Sequence, residues 1–528
     1  MRTAGATLAP MNAWRVRGML RPTLITLGFV AGCTDPTPAV PDATTIRDAA
    51  LADVALDAGS PMDIAPDVIG PASQRRFITD DQGRARIFHG VNVDSRAKSD
   101  PDRSPTLTAE DAQRMALNWG FDFVRYLVFW DAAEPSPGAI DQAYFDRVAQ
   151  RLDWFAANGI AVMLDLHQDV YAHRYCCDGA PAWAIRDDGL PFTMQTVWSL
   201  NYFQPAVERA FDNLFAYAPP NRDLQDHYGD VWVALARRFH AHPAVVGYDL
   251  INEPSPGSMV DASEIARGVG AGPESRSALF DQTRLGPFQQ RLIDRIRTVD
   301  ADGWIFIEPR FGAAGSGAVQ YLPEFHDPRS GESHVAYAPH LYSFSYEAQS
   351  RYDASDRTVA RWEAARADEA RTQNMPLLMG EFGMDQTFPG GVQYLDDVLQ
   401  MADRTMTSWA YWSWDPGTWG FWDPVARTEN ANIAQLVRVY PQRIAGAPRR
   451  WSWDRTARRF ELAFDTAPGV SGPTEIFLPA QRFFAAGYDV AVSDPAGTWE
   501  QSWNAARQVL SITVPASTST HVVTITPR

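Results

Sequence analysis

The most constraining feature of this sequence is a repeat of short apolar runs, each of strand length, with helical patterns between most of them. The runs are Ile87–Val93, Phe123–Phe129, Ala161–Leu166, Val245–Ile251, Trp304–Ile307, His334–Ala338, Leu377–Met379 and Trp409–Trp412. They hardly alternate, as expected of strands covered on both faces. Between them, Thr108–Trp119 opens with a Thr/Asp/Glu-rich turn, and Gln142–Asn158 ends at Gly159. Residues 222–241, 284–299, 353–373 and 391–405 are long and amphipathic, while a fifth helix expected near 311–325 is poorly marked. Strand–helix units in this number predict an α/β fold, a (β/α)8 TIM barrel over residues 75–440. An open doubly wound sheet is the rival, but no Gly-rich phosphate loop follows the first strand.

After Tyr440-Pro441 the texture changes. Phe460–Phe464, Thr474–Leu478, Val490–Val492 and Leu510–Val514 read as short strands joined by Pro/Gly turns. They predict a small C-terminal β-sandwich over residues 441–528, expected to be structural. At the other end, Arg2, Arg15, Arg17 and Arg21 accompany an apolar run from Leu24 to Ala31, too short to span a bilayer and suited to an export signal. Val30-Ala31-Gly32-Cys33 resembles a bacterial lipoprotein box. That implies a signal over residues 1–33, cleavage before Cys33 and lipidation of its sulfur; an ordinary signal peptide cut nearby is the alternative. Residues 34–74, rich in Ala, Asp, Pro and Thr, read as a flexible tether with too few large apolar groups to offset ordering entropy. The chain is therefore expected to be exported, held on the cell envelope by a lipid anchor or else secreted.

Charge excludes one class of partner: 64 acids against 47 bases give a net −17, which repels phosphate backbones, so no nucleic-acid partner is expected. Lys98 is the only lysine among the basic residues. Where arginine has replaced lysine everywhere else, a surviving ammonium points to a position needing a compact charge rather than a planar fork. With Cys33 set aside, only Cys176 and Cys177 remain, side by side; packed thiols and a vicinal disulfide are both open.

Catalytic groups in such barrels lie at the C-terminal strand ends. Here strand four runs into Asn252-Glu253-Pro254 and strand seven into Gly380-Glu381-Phe382-Gly383. A carboxylate at the end of an apolar strand is costly unless paired or used, and two of them three strands apart can face each other across one mouth. Two facing carboxyls are what glycosidic cleavage needs, one protonated to donate to the leaving oxygen and one ionised to attack. A separation of roughly 5 Å implies retention of configuration; a wider gap implies inversion.

The strand-four and strand-seven motifs resemble glycoside hydrolase family 5. His89-Gly-Val-Asn92 with Lys98, Asp165-Leu-His167-Gln168-Asp169-Val-Tyr171, Gly247–Gly257, Tyr337-Ala-Pro-His340-Leu-Tyr342 and Trp409-Ala-Tyr-Trp412 narrow the likeness to endoglycoceramidases. It runs from about residue 75 to the end and implies cleavage between glycan and ceramide in glycosphingolipids. It also implies roles: Glu253 as acid/base, Glu381 as nucleophile, Asn252 on the 2-hydroxyl, and Arg125 keeping Glu381 ionised. His340 and Tyr342 would orient the nucleophile, Trp412 would stack under the sugar, and Lys98, His167 and Asp169 would bind sugar hydroxyls. No metal or organic cofactor is implied, and a monomer is expected. Glu308 reads as structural. Of Trp412 and Trp414, which alternate, one can simply fill the core. The loop Trp414–Trp422 is a candidate apolar slot for the lipid, with packing against the sandwich as its alternative. Other family 5 β-glycosidases, acting on glucosyl- or galactosyl-lipids, β-glucosides or β-mannans, remain alternatives, as does a surface glycan-binding protein without catalysis.

Overall fold

The computed structural model describes residues 75–528, except 262–263, 265–271, 313–316, 344–345, 347–349 and 354. The expected signal with Cys33 and the tether over 34–74 lie outside the described residues. Eight strands form the barrel: β1 (His89–Val93), β2 (Phe123–Phe129), β3 (Ala161–His167), β4 (Val245–Asp249), β5 (Trp304–Ile307), β6 (Val335–Tyr337), β7 (Leu378–Phe382) and β8 (Ser408–Tyr411). They pair in parallel in the order β6-β5-β4-β3-β2-β1-β8-β7. Parallel bridges from Tyr337 to Leu377 and from Leu341 to Phe382 close β6 onto β7. Every residue of β2 is buried, which is why its sequence is an unbroken apolar run around Arg125.

The helices follow the amphipathic stretches closely. Thr108 caps Ala109–Arg114 in a reciprocal box with Asp111, and a wider turn over Met115–Trp119 continues it. Gly120 ends that turn at φ +72°, where a Cβ would meet the Phe477 ring at 2.2 Å. Gln142–Ala157, Arg222–Phe239, Gly286–Ile296, Thr358–Thr372 and Gly391–Thr405 cover the strands. The helix expected near 311–325 is not found among the described residues there. Side chains from neighbouring elements satisfy this backbone instead: Gln320 N donates to Glu369 (2.8 Å), Tyr321 N donates to Asp281 (2.9 Å), and Leu322 O accepts from Gln373 (3.0 Å).

The C-terminal strands are β9 (Tyr440–Ile444), β10 (Ala447–Asp454), β11 (Arg459–Asp465), β12 (Thr474–Phe477), β13 (Tyr488–Val492), β14 (Glu500–Asn504), β15 (Val509–Thr513) and β16 (Thr520–Pro527). They form two antiparallel sheets, β9-β12-β15-β14 and β10-β11-β16-β13, a sandwich with four more strands than expected. Ala85–Arg86, just ahead of the barrel, adds to the edge of the first sheet against β9. The Tyr440 ring stacks on His89 at 3.6 Å, and its hydroxyl donates to Gly120 O at 2.7 Å. The sandwich therefore meets the barrel where β1 and β2 begin, the end that supports stability rather than chemistry.

Candidate active site

The site is organised around one buried cation. Arg125 lies in β2 with no solvent exposure, and all five of its N–H groups are used. Nε donates to Asp249 (2.8 Å), Nη1 to Asn92 (3.1 Å) and Glu381 (2.5 Å), and Nη2 to Asn252 (2.9 Å) and Glu308 (2.8 Å). Asp165 stands 3.1 Å from Nη2. Burial works against the charge, but the carboxylates of Asp165, Asp249, Glu381 and Glu308 override it and hold the guanidinium far above its ordinary pKa. One side chain thus ties β1, β2, β4, β5 and β7 together at the mouth.

Glu381 lies within β7 and reaches the cleft with both oxygens held. Oε1 accepts from Arg125, and Oε2 accepts from the Tyr342 hydroxyl at 2.8 Å. Glu253 lies just beyond β4, in a left-handed conformation at φ +36° that a non-glycine residue adopts only when its surroundings impose it. Two contacts impose it. Its N–H donates to Glu308 Oε2 (2.8 Å), and its carbonyl accepts from Gln168 Nε2 (3.1 Å). Burial raises the Glu253 carboxyl, Glu381 and Glu308 add to the effect, and His340 opposes it. A carboxylate oxygen of Glu253 and one of Glu381 lie within 4.8 Å of each other.

His340 differs from expectation. Nδ1 stands 2.8 Å from Glu253 Oε1 and 3.7 Å from Glu381 Oε2, so the imidazole serves the strand-four acid first. On the other side of the ring, Glu308 Oε1 stands 3.2 Å from Nε2. Burial disfavours the imidazolium, yet the charges of Glu308 and Glu381 carry its pKa well above the usual histidine range. Glu308, expected to be structural, thus touches the cation, the Glu253 backbone and the histidine. Asn252 is engaged at both ends: it accepts from Arg125, and its Nδ2 donates to Gln168 O at 3.0 Å.

A second cluster lies beside the first. Lys98 Nζ donates to Asp169 at 2.5 Å and rides 4.1 Å above the Trp412 ring. The His167 ring lies nearly parallel to Trp412, centroids 5.7 Å apart, with Nδ1 2.6 Å from Asp165. Burial and Lys98 push His167 down, but Asp165 and Asp169 carry it up to about 9. Burial and the charge of Asp169 lift Asp178 to about 7. Of the alternating pair, Trp412 is half-buried at the cleft, while Trp414 is core, packed near Trp119 and Phe421.

That packing corrects the expected lipid slot. Trp414, Phe421 and Trp422 are buried around Trp119, at the end of the first helix. Only Trp419 of that loop stays near the cleft, 6.3 Å from the Tyr342 ring. Cys176 and Cys177 form a vicinal disulfide.

Among the described residues, three groups of acids and histidines are close enough to share a metal: Asp165/Asp249/Glu308, Glu253/His340/Glu381 and His167/Asp169/Asp178. In the first, the Arg125 guanidinium already stands among the carboxylates. In the second, His340 Nδ1 is already engaged by Glu253 and Glu381 by Arg125 and Tyr342; in the third, Lys98 Nζ already donates to Asp169. Sequence reasoning gave no role to Asn92, Asp165, Asp249 or Asp178. The available signal was a lone aspartate inside an apolar strand, as in Leu164-Asp165-Leu166 and Tyr248-Asp249-Leu250.

The profile described as "Cellulase (glycosyl hydrolase family 5)" matches residues 87–418, more than half of the chain. The chain belongs to glycoside hydrolase family 5. The profile of the family 5 C-terminal domain matches residues 438–526, the sandwich. Endoglycoceramidase I of Rhodococcus hoagii is 30% identical over 426 residues, covering 79% of this chain and 80% of the relative. The solved endo-glycoceramidase II from Rhodococcus sp. shares 37% identity with a TM-score of 0.77, covering 86% of this chain and 100% of that one. The same protein is known with ganglioside GM3, at 36% identity and a TM-score of 0.77. Its lactosyl-enzyme intermediate matches at 37% and 0.76. This family 5 chain is a glycoside hydrolase of the endoglycoceramidase branch, and its two facing carboxyls are spaced for retention.

Proposed function

We propose that the enzyme hydrolyses the bond between glycan and ceramide in glycosphingolipids by double displacement, with Glu253 as acid/base and Glu381 as nucleophile. The observation that carries this is the pair of carboxylate oxygens within 4.8 Å across one barrel mouth, in keeping with the close spacing that retaining enzymes use. In the first step the Glu253 carboxyl, held protonated by burial, gives its proton to the leaving oxygen while a Glu381 oxygen bonds to the anomeric carbon. Ceramide leaves as the alcohol. In the second step Glu253, now a carboxylate, takes a proton from water, whose oxygen displaces Glu381 and frees the glycan. Tyr342 and Arg125 aim the two oxygens of Glu381. His340 stands against Glu253 as a cation, favouring its carboxylate in the second step. Trp412, flanked by Lys98 and His167, is the platform for the sugar, and Lys98, His167 and Asp169 offer charged partners to its hydroxyls.

Thin-layer analysis of products from lactosylceramide and ganglioside tests this, with Glu381→Gln and Glu253→Gln as controls. Intact oligosaccharide plus ceramide is expected from the wild type and neither product from the Glu381→Gln variant. Single sugars released stepwise would favour a β-glucosidase-like activity. All the residues named belong to one chain, so a monomer suffices for the reaction. We also propose that the chain is exported and lipidated at Cys33, a reading that rests on the residues around that cysteine. Metabolic labelling with an alkynyl fatty acid tests it, and label retained by Cys33→Ser would refute it.

A further inference from the structure

Nine large apolar side chains stand exposed among the described residues, and four of them, Met194, Val197, Trp198 and Leu200, fall within seven consecutive positions. Exposed tryptophan and methionine grouped this tightly mark a surface that something covers. We propose that the Met194–Leu200 segment is a lipid-docking surface that seats the enzyme on the bilayer holding its substrate. The proposal rests on the glycosphingolipid reading above and adds a site to it.

The segment is built to present these side chains. Asn201, fully buried, donates to Trp198 O (2.9 Å) and accepts from Gln195 N (2.9 Å), tying the base of the loop from within. Thr193 N donates to Gln204 Oε1 at 3.3 Å and closes the loop across its foot. The apolar side chains of Met194, Val197, Trp198 and Leu200 therefore stand outward over a base held by the buried Asn201.

The position relative to the chemistry indicates the occupant. Tyr202, next to Asn201, stacks on Phe311 at 4.1 Å, and Phe311 N donates to Pro254 O at 2.9 Å. The Tyr202 hydroxyl accepts from Gln168 Nε2 at 3.4 Å, and the same Nε2 donates to the carbonyls of Asn252 and Glu253. The loop is thus joined, through Tyr202 and Gln168, to the residue that protonates the leaving group. The aglycone departs on the Glu253 side, so for a glycolipid this is the side where acyl chains return to the bilayer. Contact with lipid there is apolar, with tryptophan and methionine entering the interfacial region. Binding should accordingly depend weakly on salt.

The test is run in a Cys33→Ser background, taken as wild type so that no lipid anchor contributes, and compares it with the double variant Met194→Ser/Trp198→Ser, whose changes are at exposed positions. Flotation with substrate-free phosphatidylcholine vesicles reads docking, and turnover of vesicle-embedded lactosylceramide is set against a water-soluble aryl β-lactoside. Expected are vesicle binding by the wild type at low and high salt, its loss in the variant, and vesicle turnover down by about tenfold or more with soluble turnover within twofold. Unchanged flotation of the variant, or equal loss on both substrates, would overturn the proposal. So would a wild-type dimer that becomes monomeric in the variant, which would make the patch a contact between copies. A wild type that floats with vesicles yet releases no ceramide would sink the substrate reading and leave the docking surface standing.

Discussion

Replacing Arg125 by lysine keeps one positive charge at the centre of the site and removes the planar fork that organises it. The guanidinium makes five hydrogen bonds, to Asp249, Asn92, Glu381, Asn252 and Glu308. An ammonium has three protons, so at least two of these bonds are lost whatever geometry it adopts. Bonds to charged groups contribute roughly 1.5–3 kcal/mol each, so Arg125→Lys should lower stability by about 3–6 kcal/mol. That range overlaps the ~3–5 kcal/mol found when a buried ion pair is broken. Against a typical net stability of about 5–15 kcal/mol, the variant should still fold in the cold but unfold at clearly lower urea. Activity should fall as well. Loss of the bond to Glu381 Oε1 at the same strength predicts kcat lower by roughly 10- to 100-fold, since about 1.4 kcal/mol is a factor of ten. Urea titration by near-ultraviolet circular dichroism, with turnover measured on the still-folded fraction, reads both effects. A stability change under about 1 kcal/mol with kcat within threefold of wild type would refute the claim that this arginine organises the site.

Two further outcomes can be checked. Tyr342→Phe removes only the donor to Glu381 Oε2, so kcat should drop by about 10- to 100-fold while stability moves by less than about 1.5 kcal/mol; equal damage to both would make the tyrosine merely structural. Asp178 keeps its proton in the folded protein up to about 7, lifted by burial and by Asp169, whereas in the unfolded chain it titrates near the ordinary carboxylate value. Between those values the folded state holds the extra proton, so this group's contribution to stability falls as pH rises through the window. Asp178→Asn removes that dependence, so its stability relative to wild type should improve steadily from about pH 4 to pH 8. A difference that stays flat across this range would contradict the assignment.

The barrel was legible because its strands are buried on both faces and so carry uninterrupted apolar runs. β2 over Phe123–Phe129 and β5 over Trp304–Ile307 coincide with the runs read from the sequence. The sandwich was only half legible for the opposite reason. β14, Glu500–Asn504, is exposed at every position and gives no apolar signal. β10 alternates, but Pro448, Arg449 and Arg450 obscure its period. Both glutamates stood out because each stands at the C-terminal end of an apolar run, whereas the partners that set their environment did not. Asp165 and Asp249 are single acids inside strands, and only the three-dimensional closure of the barrel brings them to Arg125. Aromatic density misled where it was read as exposure: Trp414, Phe421 and Trp422 turn inward onto Trp119. The exposed Trp198 lies in a loop with no catalytic motif. His340 was placed beside the nucleophile, from which it stands 3.7 Å, but its 2.8 Å contact with Glu253 and its contact with Glu308 left no mark in the sequence.

The account turns on Glu253 and Glu381 flanking a single bond closely enough for direct attack. Proton nuclear magnetic resonance of the reducing sugar, recorded in the first moments of hydrolysis before mutarotation, tests this most directly. The account predicts that the first-formed anomer is β, the configuration of the substrate. An α-anomer appearing first would mean that water, not Glu381, attacks the sugar.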